Sequence, residues 1–234
     1  MAVEESGRVL IEVCVTSGED AALASRAGAD RIELCNCLSV GGLTPDPSLV
    51  TRAAGASGLP VLAIVRPRPG GFVYTHSEID SIVADCGRMI DAGASGIVTG
   101  ALTRSMEVDM DAIGRFRRAT KGLPLVFHRA FDQCLDLPGS LESLVEAGVD
   151  RVLTSAGARV APEGAGWLAE LQRLSAGRIE ILPGGGVRPW NVVDLLVRTK
   201  CRQVHGSFSR QRPGGEPILE PEQVRMTRRL LDGI

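Results

Sequence analysis

A chain of 234 residues that is 44% hydrophobic and 23% charged can build one sizeable α/β core but falls short of two well-cored domains. Its 26 Lys and Arg against 28 Asp and Glu leave a net charge of −2, with no basic field to make nucleic acid or an anionic membrane the main partner. Aromatic residues are only 3% of the chain, which argues against platforms that stack bases or sugars.

The N-terminal MAVEESGR is acidic and lacks the basic start and apolar stretch of a secretory signal. Apolar runs such as Leu59 to Val65 fall far short of the roughly 20 residues of a membrane helix. The expectation is a soluble, cytoplasmic protein whose six cysteines are free thiols. Short β-branched runs then alternate with Ala-, Leu- and Arg-rich stretches of helical period. Strands are expected at Leu10–Val15, Arg31–Cys35, Val61–Arg66, Gly96–Thr99, Leu125–Arg129, Arg151–Thr154, Ile179–Leu182 and Gln203–Ser207. Helices are expected from near Glu19, Pro47, Ser77, Asp109, Pro138, Glu163 and Pro189, with an eighth after Pro221. Strand starts lie roughly 20 to 36 residues apart, the length of a βα unit.

A weak repeat supports the same organisation. Ala27-Gly28-Ala29-Asp30, Ala92-Gly93-Ala94-Ser95 and Ala147-Gly148-Val149-Asp150 each place glycine at a helix exit just before a strand. Eight such units without a linker or low-complexity segment predict a single-domain (β/α)8 TIM barrel over 1–234, with its core at about 10–209. A doubly wound open sheet is the competing topology.

Parallel barrel strands are normally apolar throughout, so charges inside them stand out. In the first strand Glu12 and Cys14 share the interior-facing parity, and in the second Arg31, Glu33 and Cys35 do. Active sites of such barrels lie at the C-terminal end, where this chain places Arg66 and Arg68, His128 and Arg129, Thr154 and Ser155, and His205 and Ser207. These residue types suit acid–base chemistry beside a carbonyl or phosphate, with Glu12, Glu33, His128 and Arg129 as candidate catalytic groups. They equally suit structural ion pairs, with Arg31 neutralising Glu12 or Glu33. His128 and Arg129 have opposite parity, so one of them is expected to face the mouth. Pro183-Gly184-Gly185-Gly186-Val187 after the seventh strand lets backbone N–H groups approach an anion, and Ser207 would supply the other half of such a site. Arg66, Arg68, Gly184, Gly185, Gly186 and Ser207 are therefore the candidate anion-binding set, although tight turns need glycine in any case. Cys14 and Cys35 occupy matching places on neighbouring strands about 5 Å apart. Two thiols so close either pack as small apolar groups or hold a soft ion such as Cu(I), to which Cys37 could add a third sulfur.

Ile11-Glu12-Val13-Cys14, Gly28-Ala29-Asp30-Arg31-Ile32-Glu33-Leu34-Cys35 and Gly41-Gly42-Leu43-Thr44-Pro45 strongly resemble the CutC, or copper homeostasis protein, family. So do Val65-Arg66-Pro67-Arg68, Phe127-His128-Arg129-Ala130-Phe131-Asp132, Arg151-Val152-Leu153-Thr154-Ser155 and Gly184-Gly185-Gly186-Val187, in order across nearly the whole chain. The resemblance implies a cytosolic (β/α)8 barrel, a homo-oligomer, and copper homeostasis with Cys14 and Cys35 as Cu(I) ligands. It leaves open an enzyme acting on a small anionic or phosphorylated metabolite. The chain departs from the family pattern at Gly71, where an acidic residue is usual, and at Gly206, where serine is usual.

Overall fold

Several helices begin where a side chain can satisfy the free N–H groups of a first turn. In the computed structural model, which describes residues 8–212 and 215–233, Ser17, Asp46, Asp109 and Asp136 each accept a hydrogen bond from the first turn of their helix. These residues cap α1 (Gly18–Arg26), α2 (Pro47–Ser57), α4 (Met110–Ala119) and α5 (Leu137–Glu146). Thr75 opens α3 (His76–Asp91) with a full capping box, its hydroxyl taking the N–H of Glu78 while the Glu78 carboxylate takes the N–H of Thr75. The remaining helices are α6 (Ala165–Ser175), α7 (Val192–Thr199) and α8 (Pro221–Leu231). At the three repeated exits, Gly28, Gly93 and Gly148 all have positive φ (99°, 100° and 68°), the backbone that turns each helix back into a strand.

The strands are β1 (Leu10–Val15), β2 (Arg31–Leu34), β3 (Val61–Ile64), β4 (Gly96–Thr99), β5 (Leu125–Phe127), β6 (Arg151–Thr154), β7 (Glu180–Pro183) and β8 (Gln203–Gly206). They pair in parallel in the order β7-β6-β5-β4-β3-β2-β1-β8, and β7 packs beside β8, so the ring all but closes. The result is a single-domain (β/α)8 barrel rather than a doubly wound sheet. α8 secures the seam between the last unit and the first, where the guanidinium of Arg228 donates to the Val9 carbonyl (2.9 Å) and to Asp30 (3.2 Å).

Period-2 alternation divides the apolar residues into two layers. Ile11, Val13, Ile32, Leu34 and their counterparts pack outward against the helices, while Cys14, Cys35, Leu62, Ile64, Val98, Val126, Leu153 and Leu182 fill the barrel. Three features differ from the pattern expected of the sequence. β2, β3, β5 and β8 each end one or two residues early, because the chain turns into mouth loops at Cys35, Val65, His128 and Ser207. The β1–β2 register sets Cys14 opposite Glu33, so Cys35 sits a step higher than Cys14, as the stagger of a closed barrel requires. An antiparallel hairpin, β9 (Ser209–Arg212) with β10 (Gly215–Leu219), follows β8, and its Glu216 carboxylate accepts from the N–H (3.0 Å) and the hydroxyl (2.6 Å) of Ser39 in the loop after β2.

Candidate functional site

At the floor of the barrel mouth the β1 register aligns Glu12 with both Arg31 and His205. Glu12 is buried, ion-paired with Arg31, and 2.8 Å from Nδ1 of His205. Burial alone would lift its pKa, but the Arg31 and His205 charges prevail and hold the carboxyl well below the usual range. Arg31 is held in turn by Gln203 (2.9 Å), which also donates to Glu180 (3.2 Å), the partner of Arg151. Glu12 therefore belongs to an ion network beneath the cavity and is not among the residues that line it.

Above this floor lie Glu33, His205, Cys14 and Cys35. His205 Nε2 is 3.8 Å from Glu33 Oε1, while Oε2 of Glu33 is buried without a hydrogen-bond partner among the described residues. Burial raises the Glu33 pKa, and the nearby Glu12 charge adds to that. Burial pulls the His205 pKa down, but the Glu33 and Glu12 carboxylates outweigh it and the net shift is upward. The sulfurs of Cys14 and Cys35 are 3.6 Å apart, and this contact together with burial holds the Cys14 thiol well above its ordinary pKa. Donor atoms of Cys14, Glu33 and His205 all lie within 4.8 Å of one another, a grouping that does not include Cys35. Cys14 is thus the atom common to both sets of possible metal donors.

A cavity of about 270 Å³ opens over these groups, lined by Cys14, Glu33, His128, Arg129, Arg188, His205 and Ser207, by Gly185 and Gly186, and by the apolar Leu38, Ile64, Phe72 and Leu153. Both His128 and Arg129 reach it. A 3-10 turn at Arg129–Gln133 begins directly after β5, so the strand parity that would have turned one of them away no longer applies. His128 accepts the Ala130 N–H at Nδ1 (3.3 Å), and burial with the Arg66 charge depresses its pKa to about 3. Arg129 is braced by Asp132 (2.7 Å) and Ser155 (2.7 Å). Asp132 also accepts the N–H groups of Ser155 (3.0 Å) and Gly157 (3.1 Å), so one carboxylate sets both the arginine and the loop after β6. Gly185 has φ +95° and lies so close to Arg129 that a Cβ there would stand 2.9 Å from Nη1.

The expected anion-binding arginines are placed otherwise. Arg66 lines the cavity, but its guanidinium donates to the carbonyls of Val40 (3.0 Å), Gly42 (3.2 Å) and Gly70 (2.8 Å), so it clamps the loops after β2 and β3. Arg68 turns outward to an ion pair with Glu78 and to the carbonyls of Gly71 (3.0 Å) and Val73 (3.0 Å), and lies outside the cavity. Gly184 is a packing glycine whose Cβ would stand 2.4 Å from Leu153 Cδ1. Sequence reasoning missed Arg188, whose place on the wall depends on the path of the loop after the triple glycine. It also names His205 at the mouth without assigning it a partner, whereas the structure sets it beside Glu12 and Glu33. The alignment of His205 with Glu12 comes from β8 pairing with β1, which the strand order of a closed barrel could have supplied.

Comparison with known proteins places the whole chain. The model of the CutC family matches residues 9–210. A family protein CutC from Agrobacterium fabrum is 42% identical over 92% of this chain and 83% of its own length. One from Pasteurella multocida is 40% identical over 83% and 80%. A crystal structure from Streptococcus agalactiae, provisionally described as a copper homeostasis protein CutC, superimposes with a TM-score of 0.81 at 33% identity, covering 85% of this chain and 98% of that one. Phosphoribosylanthranilate isomerase from Thermotoga maritima, at 14% identity and TM-score 0.62 over 97% and 100%, shares the barrel fold.

Proposed function

Since the chain belongs to the CutC family, we propose that it serves copper homeostasis by holding Cu(I) at Cys14, with Cys35 as the second thiolate and His205 as the neighbouring nitrogen donor. The observation that carries this reading is the convergence of donors: two soft sulfurs 3.6 Å apart, with an imidazole and a carboxylate within 4.8 Å of the first. With Nδ1–H of His205 donated to Glu12, loss of the Nε2 proton to an arriving metal would free that nitrogen as a donor, the carboxylate–histidine arrangement that orients metal-binding imidazoles. All six cysteines are free, as a reducing cytoplasm would keep them, and the reading includes assembly as a homo-oligomer. The ion is cargo held inside a barrel, so this protein would retain copper rather than present it on an open surface. An anaerobic Cu(I) competition titration against a chromogenic chelator tests the assignment. Wild type should bind one ion, Cys14→Ser should lose stoichiometric binding, and Cys86→Ser, at a buried thiol elsewhere, should bind as wild type does. Equal binding by wild type and Cys14→Ser would reject it.

The cavity favours a second reading. Its volume of about 270 Å³ exceeds what a single ion needs, and Arg129 and Arg188 border it. This supports an enzyme that acts by acid–base chemistry on a small anionic or phosphorylated metabolite, with Glu33 and His128 facing the substrate. Glu33→Gln should abolish such turnover and leave the fold intact.

A further inference from the structure

The imidazole of His128 is held by its surroundings in one orientation. It sits against Phe72 with ring centroids 4.7 Å apart, and Gly100 lies so close that a Cβ there would stand 2.8 Å from Nδ1. Nδ1 accepts the Ala130 N–H, so the ring proton resides on Nε2. Nε2 is buried and has no hydrogen-bond partner among the described residues, although the residue borders the mouth cavity. A buried donor without an acceptor destabilises a fold, and an acceptor brought into the adjoining cavity by a ligand would satisfy this one. The depressed pKa keeps this donor neutral across the physiological range, the state in which an imidazole polarises a carbonyl rather than pairing with an anion.

The same cavity offers a separate place for negative charge. Asp132 and Ser155 hold Nε and Nη2 of Arg129, which leaves Nη1 beside the Gly185 backbone. Arg188 donates one Nη to the Val187 carbonyl (2.8 Å) and forms no salt bridge among the described residues. The N–H groups of Gly185 and Gly186 likewise make no hydrogen bond among the described residues. At roughly 30 Å³ per water, the cavity has room for about nine waters, or a metabolite of about ten non-hydrogen atoms.

Building on the metabolite reading, we propose that the cavity binds a small molecule carrying both an oxyanion and a carbonyl oxygen, with Arg129 and Arg188 on the oxyanion and the Nε2–H of His128 on the carbonyl. Phosphate and carboxylate are alternative sources of the oxyanion. Two matched pairs separate them, each differing only in the keto oxygen: hydroxyacetone phosphate against propyl phosphate, and levulinate against pentanoate. Calorimetric titration of wild type should show the keto member of one pair binding about tenfold more tightly than its partner. In His128→Phe that advantage should fall below about twofold, while Arg129→Gln should weaken both members of the pair alike by about tenfold. Nitrogen-15 NMR of histidine-labelled wild type provides a readout that needs no variant to fold. It should show the proton on Nε2 in the free protein, and the Nε2 resonance should move with the keto ligand only. A keto advantage that survives in His128→Phe, or a proton found on Nδ1, would overturn the role of His128 and leave anion binding standing. Failure of all four compounds to bind at millimolar concentration would overturn the metabolite reading itself.

Discussion

Replacing His128 with Phe should remove about 2 kcal/mol of the acid sensitivity of folding between pH 7 and pH 5. Burial and the nearby Arg66 charge hold the folded imidazole at a pKa of about 3, whereas an unfolded histidine titrates near about 6.5. Across that window the unfolded chain takes up a proton that the folded chain refuses, so His128 leaves stability intact above about pH 6.5 and erodes it as the pH falls toward 3. A pH of 5 lies about 1.5 units below the unfolded pKa, and at about 1.36 kcal/mol per unit the loss is about 2 kcal/mol. Phenylalanine cannot titrate and has ring neighbours at Phe72 and Phe127, so the variant should keep the fold and lose only this part of the pH slope. The pKa of His205 is raised, so it contributes in the opposite sense, but it is present in both proteins and cancels in the comparison. Urea unfolding of wild type and variant at closely spaced pH values measures the difference directly. Parallel stability–pH curves would show that the imidazole is not excluded from protonation, and the argument for a neutral donor in the cavity would fail with it.

Three further substitutions probe the supports of the site. Glu12→Gln removes the carboxylate that neutralises the buried Arg31, and it should cost about 3–5 kcal/mol by urea unfolding; a loss below about 1 kcal/mol would mean the floor network is not an ionic one. Asp132→Asn removes the charge that braces Arg129 and the loop after β6, and should destabilise the fold by about 1.5–3 kcal/mol while raising the dissociation constant of any anion that Arg129 holds. An unchanged anion affinity would detach Asp132 from the site. Thr75→Ala breaks the capping box of α3 and should lower stability by about 1 kcal/mol without changing binding at the mouth, a control on the opposite side of the distinction between fold and site.

What the amino-acid order determined alone was the succession of eight βα units and the inward face of their strands. Alternation is a local property: once residues 10–15 are extended, Glu12 and Cys14 must share a face, and a glycine at a helix exit turns the chain within a few residues. The eight strands, the helix caps and the interior position of Glu12, Cys14, Glu33 and Cys35 follow from such patterns. Which of these side chains meet was decided by tertiary structure. His205 reaches Glu12 across 193 residues of chain, because β8 closes against β1 in a register that no local pattern encodes. The stagger of the barrel lifts Cys35 above Cys14, the 3-10 turn after β5 brings His128 and Arg129 to the same cavity, and Glu78 at the start of α3 draws Arg68 away from it. Register and loop path are settled by competition among distant partners for the same charged and polar groups. The sequence therefore names the candidates, and the closed barrel selects which of them form the site.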